Sequence, residues 1–384
     1  MLLELAATRR VLFIGGKGGV GKTAVASAVG LHQARAGRRV LVVSTDPAHN
    51  LGHLWQTRVG DEVVTLAHGL AAQDVARAAA QHRPGMPADG RHNPTVGQHA
   101  PDGRSAEQQA PGGHGAGQHG PGSLEGLEID PARTTDEHLA AVGHQVRRLM
   151  PEHLAGEVDK HLDLARDAPG THEAAVLERM AEVLENSSHD LVIFDTAPSG
   201  HTSRLMSLPE TMYAWTEGLL RRQDRSAKFG AALRAMDPDE GAEAIVGTGR
   251  RRADRRAERD SQIRHILLRR RTRFEGLRDL LTDAERTAFV IVLAAERLPA
   301  LETIELYGQL LRSGVHVGAL VVNKRSPAEA GGLLADRHAQ EEVHLDTVRE
   351  ALGHVPMIEL PLLAGDIVGE EAVARFADLI ARAS

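Results

Sequence analysis

The chain has 384 residues, of which 42% are hydrophobic, and 52 acidic against 45 basic side chains give it a formal net charge of −7. A chain of this length and composition can bury at least one large core, which predicts a globular protein. It contains no cysteine. This excludes disulfides, cysteine-ligated zinc, iron–sulfur clusters and thiol catalysis, and it is typical of a reducing cytoplasm. No apolar run reaches the roughly 20 residues of a membrane span, so we expect a cytoplasmic protein that meets a membrane only peripherally.

Short aliphatic runs alternate with helical patterns along most of the chain. The predicted strands are residues 11–14, 40–43, 191–194, 289–293, 317–322 and 357–360. The predicted helices are residues 22–36, 134–150, 172–185, 300–313, 338–352 and 370–382. Apolar strands that alternate with helices predict an α/β fold, a doubly wound and mainly parallel sheet in one domain over residues 1–384. Ligands of such sheets bind beyond the carboxyl ends of the strands.

Two segments interrupt this alternation. Residues 81–122 hold ten Gly, six Pro, five His and five Gln, a composition too polar to offset the entropy of ordering by burial, so we predict a disordered insertion over 69–123. Residues 204–284 are predicted to form an inserted helical subdomain. Within it, residues 250–273 contain eleven Arg against three acidic residues, which is compatible with either a solvated helix face or a binding surface.

The first predicted strand leads directly into a glycine-rich loop and a helix. The loop reads Gly16-Lys17-Gly18-Gly19-Val20-Gly21-Lys22-Thr23 and stands in the context that a phosphate-binding loop requires. Its backbone amides can turn toward a triphosphate, Lys22 can reach the β- and γ-phosphates, and the Thr23 hydroxyl can bind Mg²⁺. The loop therefore predicts nucleotide binding with Mg²⁺ as the metal.

Further polar residues follow the predicted strands at the same edge of the sheet. Asp46 comes after the second strand and Asp195 after the third; one carboxylate can act on the attacking water and the other can hold Mg²⁺ through its water shell. Asn323-Lys324-Arg325 is followed by Ser326, so the carboxylate that would read guanine is missing. The sequence therefore favours adenine, and ATP as the nucleotide.

Taken together, these segments resemble the arsenical pump ATPase and the guided-entry ATPase of tail-anchored membrane proteins, two branches of one family of P-loop ATPases with a deviant Walker A loop. The resemblance covers nearly the whole chain apart from 69–123 and most of 210–284. It rests on residues 16–23, 46–51, 128–131, 169–170, 195–202, 208–209 and 361–363, with Glu173, Arg204, Glu296, Glu302, Thr303, Asn323 and Gly369.

The resemblance implies a role for each matched residue. Asp46 would be the catalytic carboxylate of the first switch, acting with Lys22, and Asp195 the Mg²⁺-linked carboxylate that opens the second switch beside Thr23. Lys17, the additional lysine of the loop, would reach across a homodimer to the nucleotide of the partner.

Two more matched residues would lie around the nucleotide, with Asn323 contacting adenine and Glu296 approaching the nucleotide of the partner. The chain also departs from the family. Without cysteine it has neither the thiolates that bind arsenite nor the zinc site that clamps the targeting dimer. Residues 210–284 contain only Met212 and Met236 as methionines, whereas the client groove of the targeting ATPase is rich in methionine.

Two functional hypotheses follow. The first is an ATPase, converting ATP to ADP and phosphate, that acts as a nucleotide-gated homodimeric switch and handles a protein client or a membrane-associated partner in the manner of this family. The alternative is a partitioning or positioning switch that dimerises with ATP on DNA or an anionic membrane through its Arg-rich helix. Nucleic acid is the less favoured partner.

Overall fold

An eight-stranded sheet forms the centre of the computed structural model, which describes residues 1–46, 50–70, 121–149, 155–168, 170–197, 199–236 and 248–384. The sheet order is β3-β4-β2-β5-β1-β6-β7-β8. Its strands are β1 (Val11–Gly15), β2 (Arg39–Ser44), β3 (Val64–Leu70), β4 (Gly122–Glu128), β5 (Leu191–Asp195), β6 (Thr287–Ala294), β7 (Val317–Arg325) and β8 (Met357–Pro361).

Helices cover both faces of this sheet. They are α1 (Leu2–Thr8), α2 (Lys22–Arg35), α3 (Asn50–Trp55), α4 (Pro131–Leu149), α5 (Ala155–Arg166), α6 (Thr171–Asn186), α7 (Ser199–Met236), α8 (Thr248–Thr282), α9 (Arg297–Arg312), α10 (Gly332–Leu352) and α11 (Glu370–Ala383). Neighbouring strands pair in parallel except β3 and β4, which are antiparallel. The predicted α/β class with a mainly parallel sheet is confirmed. Among the described helices none is long and apolar enough to cross a bilayer.

The central strands are buried on both faces, as their continuous apolar sequences predict. In β1, Val11 and Phe13 join one hydrophobic core, while Leu12 and Ile14 join the core on the other face. The ring of Phe13 stacks on those of Phe194 (centroids 5.0 Å apart) and Phe289 (6.2 Å) in the two neighbouring strands. This packing fixes the carboxyl end of β1, where the glycine loop begins.

Strands β3 and β4 were not predicted, and they correct the limits of the predicted disordered insertion of 69–123, because residues 69–70 belong to β3 and residues 122–123 to β4. The sequence of β4, GSLEGLE, has no β-branched residue, so it carries little strand propensity by itself. It forms because it pairs in parallel with β2 from Arg39 to Ser44. Residues 71–120 lie outside the described residues, and the insertion stays a prediction.

Helix α10 begins at Gly332 rather than at the predicted residue 338. Its first turn carries Leu333, which is 81% exposed, so no buried apolar residue marks the start of the helix in the sequence. Gly331 precedes the helix in a left-handed backbone conformation with φ 67°, where glycine is favoured. The first turn of α10 was therefore not predicted because none of its side chains is buried in the core.

Two long helices occupy most of residues 204–284. Helix α7 contains 38 residues and α8 contains 35, and residues 237–247 between them lie outside the described part. The C-terminal part of α8 packs into the core through Phe274, Leu277 and Leu281. These buried positions are the helically spaced apolar residues of the sequence, so the base of this pair of helices is anchored on the sheet.

Candidate active site

The glycine loop joins the end of β1 to the start of α2. Gly16, Gly19 and Gly21 have φ values of 140°, 80° and 93°, which side-chain-bearing residues rarely adopt. A Cβ on Gly16 would lie 2.0 Å from the carbonyl oxygen of Val292, and one on Gly21 would lie 2.5 Å from Nδ2 of Asn323. The glycines are thus required for the loop to pack against the ends of β6 and β7.

Lys22 is the first residue of α2 and is 5% exposed. Its Nζ donates a hydrogen bond to the Lys17 carbonyl oxygen at 3.2 Å. Burial lowers the pKa of Lys22, whereas the charges of Asp195 and Asp46 raise it. An ammonium in this setting is a favourable site for phosphate, because phosphate oxygens can accept charge-assisted hydrogen bonds from its remaining N–H groups.

Next to Lys22, the half-buried Thr23 pairs with the fully buried Asp195. The Thr23 hydroxyl donates to Oδ2 of Asp195 at 2.5 Å, while Oδ1 is buried and has no hydrogen-bond partner among the described residues. Burial raises the pKa of Asp195 to about 7, against the lowering effects of the Thr23 hydrogen bond and the Lys22 charge. A buried carboxylate oxygen without a hydrogen-bond partner is available to bind a cation or an ordered water.

The donor set at this pair fits Mg²⁺. A hydroxyl and a carboxylate are hard oxygen ligands, and Mg²⁺ in nucleotide sites keeps several waters and binds phosphate oxygens as well. In the described part of the chain no three His, Asp or Glu side chains converge on one point. Thr23 and Asp195 would therefore hold the ion together with phosphate and water.

Asp46 lies at the same sheet edge, two residues after the end of β2. The Asp46 amide donates to the Ser44 hydroxyl at 3.3 Å, and Nδ2 of Asn50 donates to Oδ2 of Asp46 at 3.2 Å. The amide of Thr45 donates to the Asp195 carbonyl oxygen at 2.9 Å. This bond ties the two aspartate-bearing segments together. Residues 47–49 and 198, which the sequence motifs include, lie outside the described residues.

Lys17 has an ion-pair partner in its own chain. Its Nζ lies 2.9 Å from Oε1 of Glu302 on α9, and both side chains are about one third exposed, at 34% and 37%. Glu302 belongs to one of the motifs shared with the family, but its pairing with Lys17 was not predicted. The contact could not be read from the sequence because 285 positions separate the two residues.

The end of β7 also contacts the glycine loop. Nδ2 of Asn323 donates to the Val20 carbonyl oxygen at 2.9 Å, and Nζ of Lys324 donates to the Gly19 carbonyl oxygen at 2.7 Å. The predicted position of Asn323 beside the loop fits an adenine contact, which stays a prediction. The contact of Lys324 with the loop was not predicted, although lysine is scarce in this chain.

Two acidic residues complete the surroundings. Glu296 precedes α9, and its Oε1 lies 3.0 Å from Nη2 of Arg337 on α10, so its carboxylate faces another helix and not the loop. Glu128 at the end of β4 is buried and accepts a hydrogen bond from the Gly52 amide at 3.0 Å. Its charge helps to raise the pKa of Asp195. The motif at 128–131 was the only sequence signal for this residue.

A buried lysine at the start of a helix, a glycine loop before it and a Thr–Asp pair beneath it define a P-loop nucleotide hydrolase. Comparison with known proteins makes the class specific. A family model described as anion-transporting ATPase matches residues 9–110 and 121–382. The chain belongs to this ATPase family, and the resemblance read from its motifs is confirmed.

Curated relatives extend over almost the whole chain. The ATPase GET3 of Pyricularia oryzae is 24% identical over 376 residues, which cover 97% of this chain and 90% of that protein. The proteins named ATPase get3 of Aspergillus terreus and Aspergillus niger are each 26% identical, again over 97% of this chain and over 91% and 90% of their own lengths. These matches and the family model identify the chain as an enzyme that hydrolyses ATP.

Proposed function

We propose that this ATPase is a Mg²⁺-dependent, nucleotide-gated homodimeric switch that handles a protein client or a membrane-associated partner. One observation carries the proposal: the Asp195 carboxylate is bonded to Thr23 of the phosphate loop and lies four positions before α7, which runs for 38 residues from Ser199. A change at the nucleotide can therefore act on the start of the longest described helix.

The chemical roles follow from where the side chains lie. Thr23 and Asp195 would hold Mg²⁺, which neutralises charge on the phosphates when bound. Lys22 binds the phosphate oxygens. Asp46, at the same edge and oriented by Asn50, accepts a proton from the attacking water or orients it. These roles suffice because catalysis of in-line phosphoryl transfer consists mainly of positioning the reactants and stabilising charge, without a covalent enzyme intermediate.

The homodimer rests on Lys17 and on the family. An ordinary phosphate loop has no need of a lysine at this position, and here its ammonium is bonded to Glu302 on α9, not to a carboxylate beside Lys22. The ammonium would leave Glu302 to reach the nucleotide of the partner. The adenine contact of Asn323 and the approach of Glu296 to the partner nucleotide belong to the same proposal.

The proposal that this ATPase handles a protein client is supported by its curated relatives. Three of the curated matches carry the name GET3, and the resemblance to the guided-entry ATPase implies targeting of tail-anchored membrane proteins from the cytoplasm. The absence of cysteine argues against arsenite as effector, because metalloid capture needs thiolates. We expect no change in ATPase rate on adding arsenite.

A partitioning-type switch on DNA or anionic lipid is the second candidate. It is favoured by the eleven Arg against three acidic residues in 250–273, a charge balance that suits a polyanion. ATPase turnover measured with DNA, with anionic vesicles or with an apolar helical peptide separates the two candidates. Stimulation by the peptide alone supports the client function, whereas stimulation by DNA or vesicles alone supports the second.

Mixing two inactive variants tests the homodimeric site. Asp46→Asn should bind MgATP and lose turnover, and Lys17→Ala should bind MgATP and lose most turnover. A heterodimer of the two contains one site with an intact Asp46 and with Lys17 supplied by the partner. Activity should partly return on mixing.

The matched control mixes Asp46→Asn with Lys22→Ala, Lys17 being intact in both. In that heterodimer each site has lost either its carboxylate or its phosphate-binding lysine, so activity should stay absent. If crosslinking shows Lys17→Ala heterodimers but no activity returns, the assignment of Lys17 to the partner's site is wrong.

A further inference from the structure

Two consecutive residues of β7 contact the same loop. Asn323 donates to the Val20 carbonyl oxygen and Lys324 donates to the Gly19 carbonyl oxygen, at 2.9 and 2.7 Å. Successive side chains of a regular strand point to opposite faces of the sheet. A regular β7 could therefore send only one of these two side chains to the loop.

The backbone at Lys324 shows how this is avoided. Lys324 has φ 63°, and in the described part of the chain only one other non-glycine residue, Gln56 with φ 52°, has a positive φ. The pairing of β7 with β8 also shifts register between Val322 and Arg325. Such a conformation is unfavourable for a lysine and persists only where the surrounding structure enforces it, which is common at functional sites.

The two hydrogen bonds set the direction of the loop amides. In a planar trans peptide the C=O and the following N–H point in opposite directions. Holding the Gly19 and Val20 carbonyls toward β7 therefore turns the amides of Val20 and Gly21 the other way. Successive N–H groups turned to one side form the anion cradle of a phosphate-binding loop.

Lys324 matters most for the peptide between Gly19 and Val20. A Cβ built on Gly19 would meet no atom within 4 Å, so packing does not hold this peptide from the glycine side. Glycine itself rotates freely. The charged hydrogen bond from Lys324 is thus the described contact that fixes the Gly19 carbonyl.

We propose that Lys324 is a positioning residue of the nucleotide site, which holds the Gly19 carbonyl so that the Val20 amide is preset to bind phosphate. The proposal rests on nucleotide binding by this loop, as in the proposed function. It assigns to Lys324 a role in affinity for the phosphates of both ATP and ADP and no role in the proton transfer of hydrolysis.

Lys324→Gly is the sharpest variant because glycine suits φ 63°. It should leave the melting temperature unchanged or higher, since backbone strain is relieved, while raising the Kd for MgATP and MgADP about tenfold. The turnover at saturating MgATP should stay within about twofold of wild type. Substitution of a merely structural residue would not weaken nucleotide binding while leaving thermal stability intact.

Two further variants and one control complete the test. Lys324→Met keeps a long side chain without the ammonium and should raise both Kd values as Lys324→Gly does, whereas Lys324→Arg should restore much of the affinity. Gln56→Gly is the matched control, because it relieves the same backbone conformation in an exposed residue after α3 and should leave both Kd values unchanged.

The outcomes are distinct. Wild-type affinity in both Lys324→Gly and Lys324→Met, or a fall in affinity that only follows a fall in melting temperature, would overturn the positioning role. If the wild-type chain binds MgATP no more tightly than Lys22→Ala, the nucleotide site itself is misassigned and the proposed function fails with it.

Discussion

Charged groups are held in opposite ways at the nucleotide edge of the sheet and on its helical side. At the edge, Lys22 and Asp195 are buried, and within the described residues the Lys22 ammonium and the Asp195 carboxylate each make one hydrogen bond, to the Lys17 carbonyl oxygen and from the Thr23 hydroxyl. On the helical side, a cleft of about 660 Å³ between α4, α6 and α8 is lined by alternating charges. There Arg273 pairs with both Glu178 and Glu185.

The difference is one of redundancy. A buried charge with a single partner leaves an uncompensated group when that partner is removed. Half-exposed charges that share several partners lose little, because water and the remaining partners replace the lost contact. We therefore expect single substitutions to have large effects at the edge and in the core beneath the helices, and small effects among the arginines of α8.

The largest effect is expected where the helical side depends on the core. Phe274 of α8 is 1% exposed, and Phe274→Ala should lower the free energy of unfolding by about 3–5 kcal/mol through the cavity it leaves. Ile263→Ala, at a half-buried position of the same helix, should cost about 1 kcal/mol. Urea unfolding of both variants measures this. Equal losses would show that α8 is not anchored at its C-terminal end.

The next largest effect is expected on MgATP affinity, for substitution of Lys22 at the nucleotide edge. Lys22→Ala should weaken MgATP binding by about 100-fold or more, because it removes the buried ammonium from the phosphates. Lys160→Ala, an exposed lysine on α5, is the control and should bind as wild type does. Calorimetry with MgATP provides the measurement. A Lys22→Ala protein that binds normally would disprove the site.

How far the sequence predicts this edge depends on whether a contact is local. The phosphate-binding loop of residues 16–23 could be predicted because the spacing of its glycines, Lys22 and Thr23 between a strand and a helix is a local motif. The six predicted strands are all present. They too could be predicted from a local signal, because each is a short apolar run. Strand β4 was missed because its residues have little strand propensity, and its pairing with the distant β2 stabilises it instead.

The contacts that hold the site in place were beyond sequence reasoning. Lys17–Glu302 and Lys324–Gly19 join positions 285 and 305 apart, and no local pattern specifies them. The position of Lys324 depends on a positive φ in a strand, which propensity would not predict for lysine. Motifs therefore predict which residues bind the nucleotide, whereas the residues that position them can be found only from the structure.

A smaller effect concerns pH. Burial raises the pKa of Asp195 to about 7 in the folded chain without nucleotide, whereas an unfolded Asp titrates near 3.9. Between these values the folded chain binds the extra proton, so this group makes stability fall as pH rises from about 4 to about 7. Above pH 7 its stabilising contribution is lost.

Asp195→Asn should remove that part of the pH dependence, since the amide does not titrate. Relative to wild type, the variant should gain about 2 kcal/mol of unfolding free energy between pH 4.5 and pH 6. Asp366→Asn at an exposed position should show no such gain. A wild-type pH profile in Asp195→Asn would mean that the carboxylate is already ionised at low pH.

The smallest effect is expected for the ion pair between Arg264 of α8 and Asp224 of α7, whose side chains are 49% and 43% exposed. A double-mutant cycle with Arg264→Ala and Asp224→Ala should give a coupling of about 0.5 kcal/mol in unfolding free energy, the usual value for exposed pairs. Raising the salt concentration should reduce it further. A coupling above about 2 kcal/mol would show that the arginines of this helix are held for stability. A weak coupling leaves their charge available for a partner, and then the same two variants should change stimulation of the ATPase by a peptide or by vesicles without changing its basal rate.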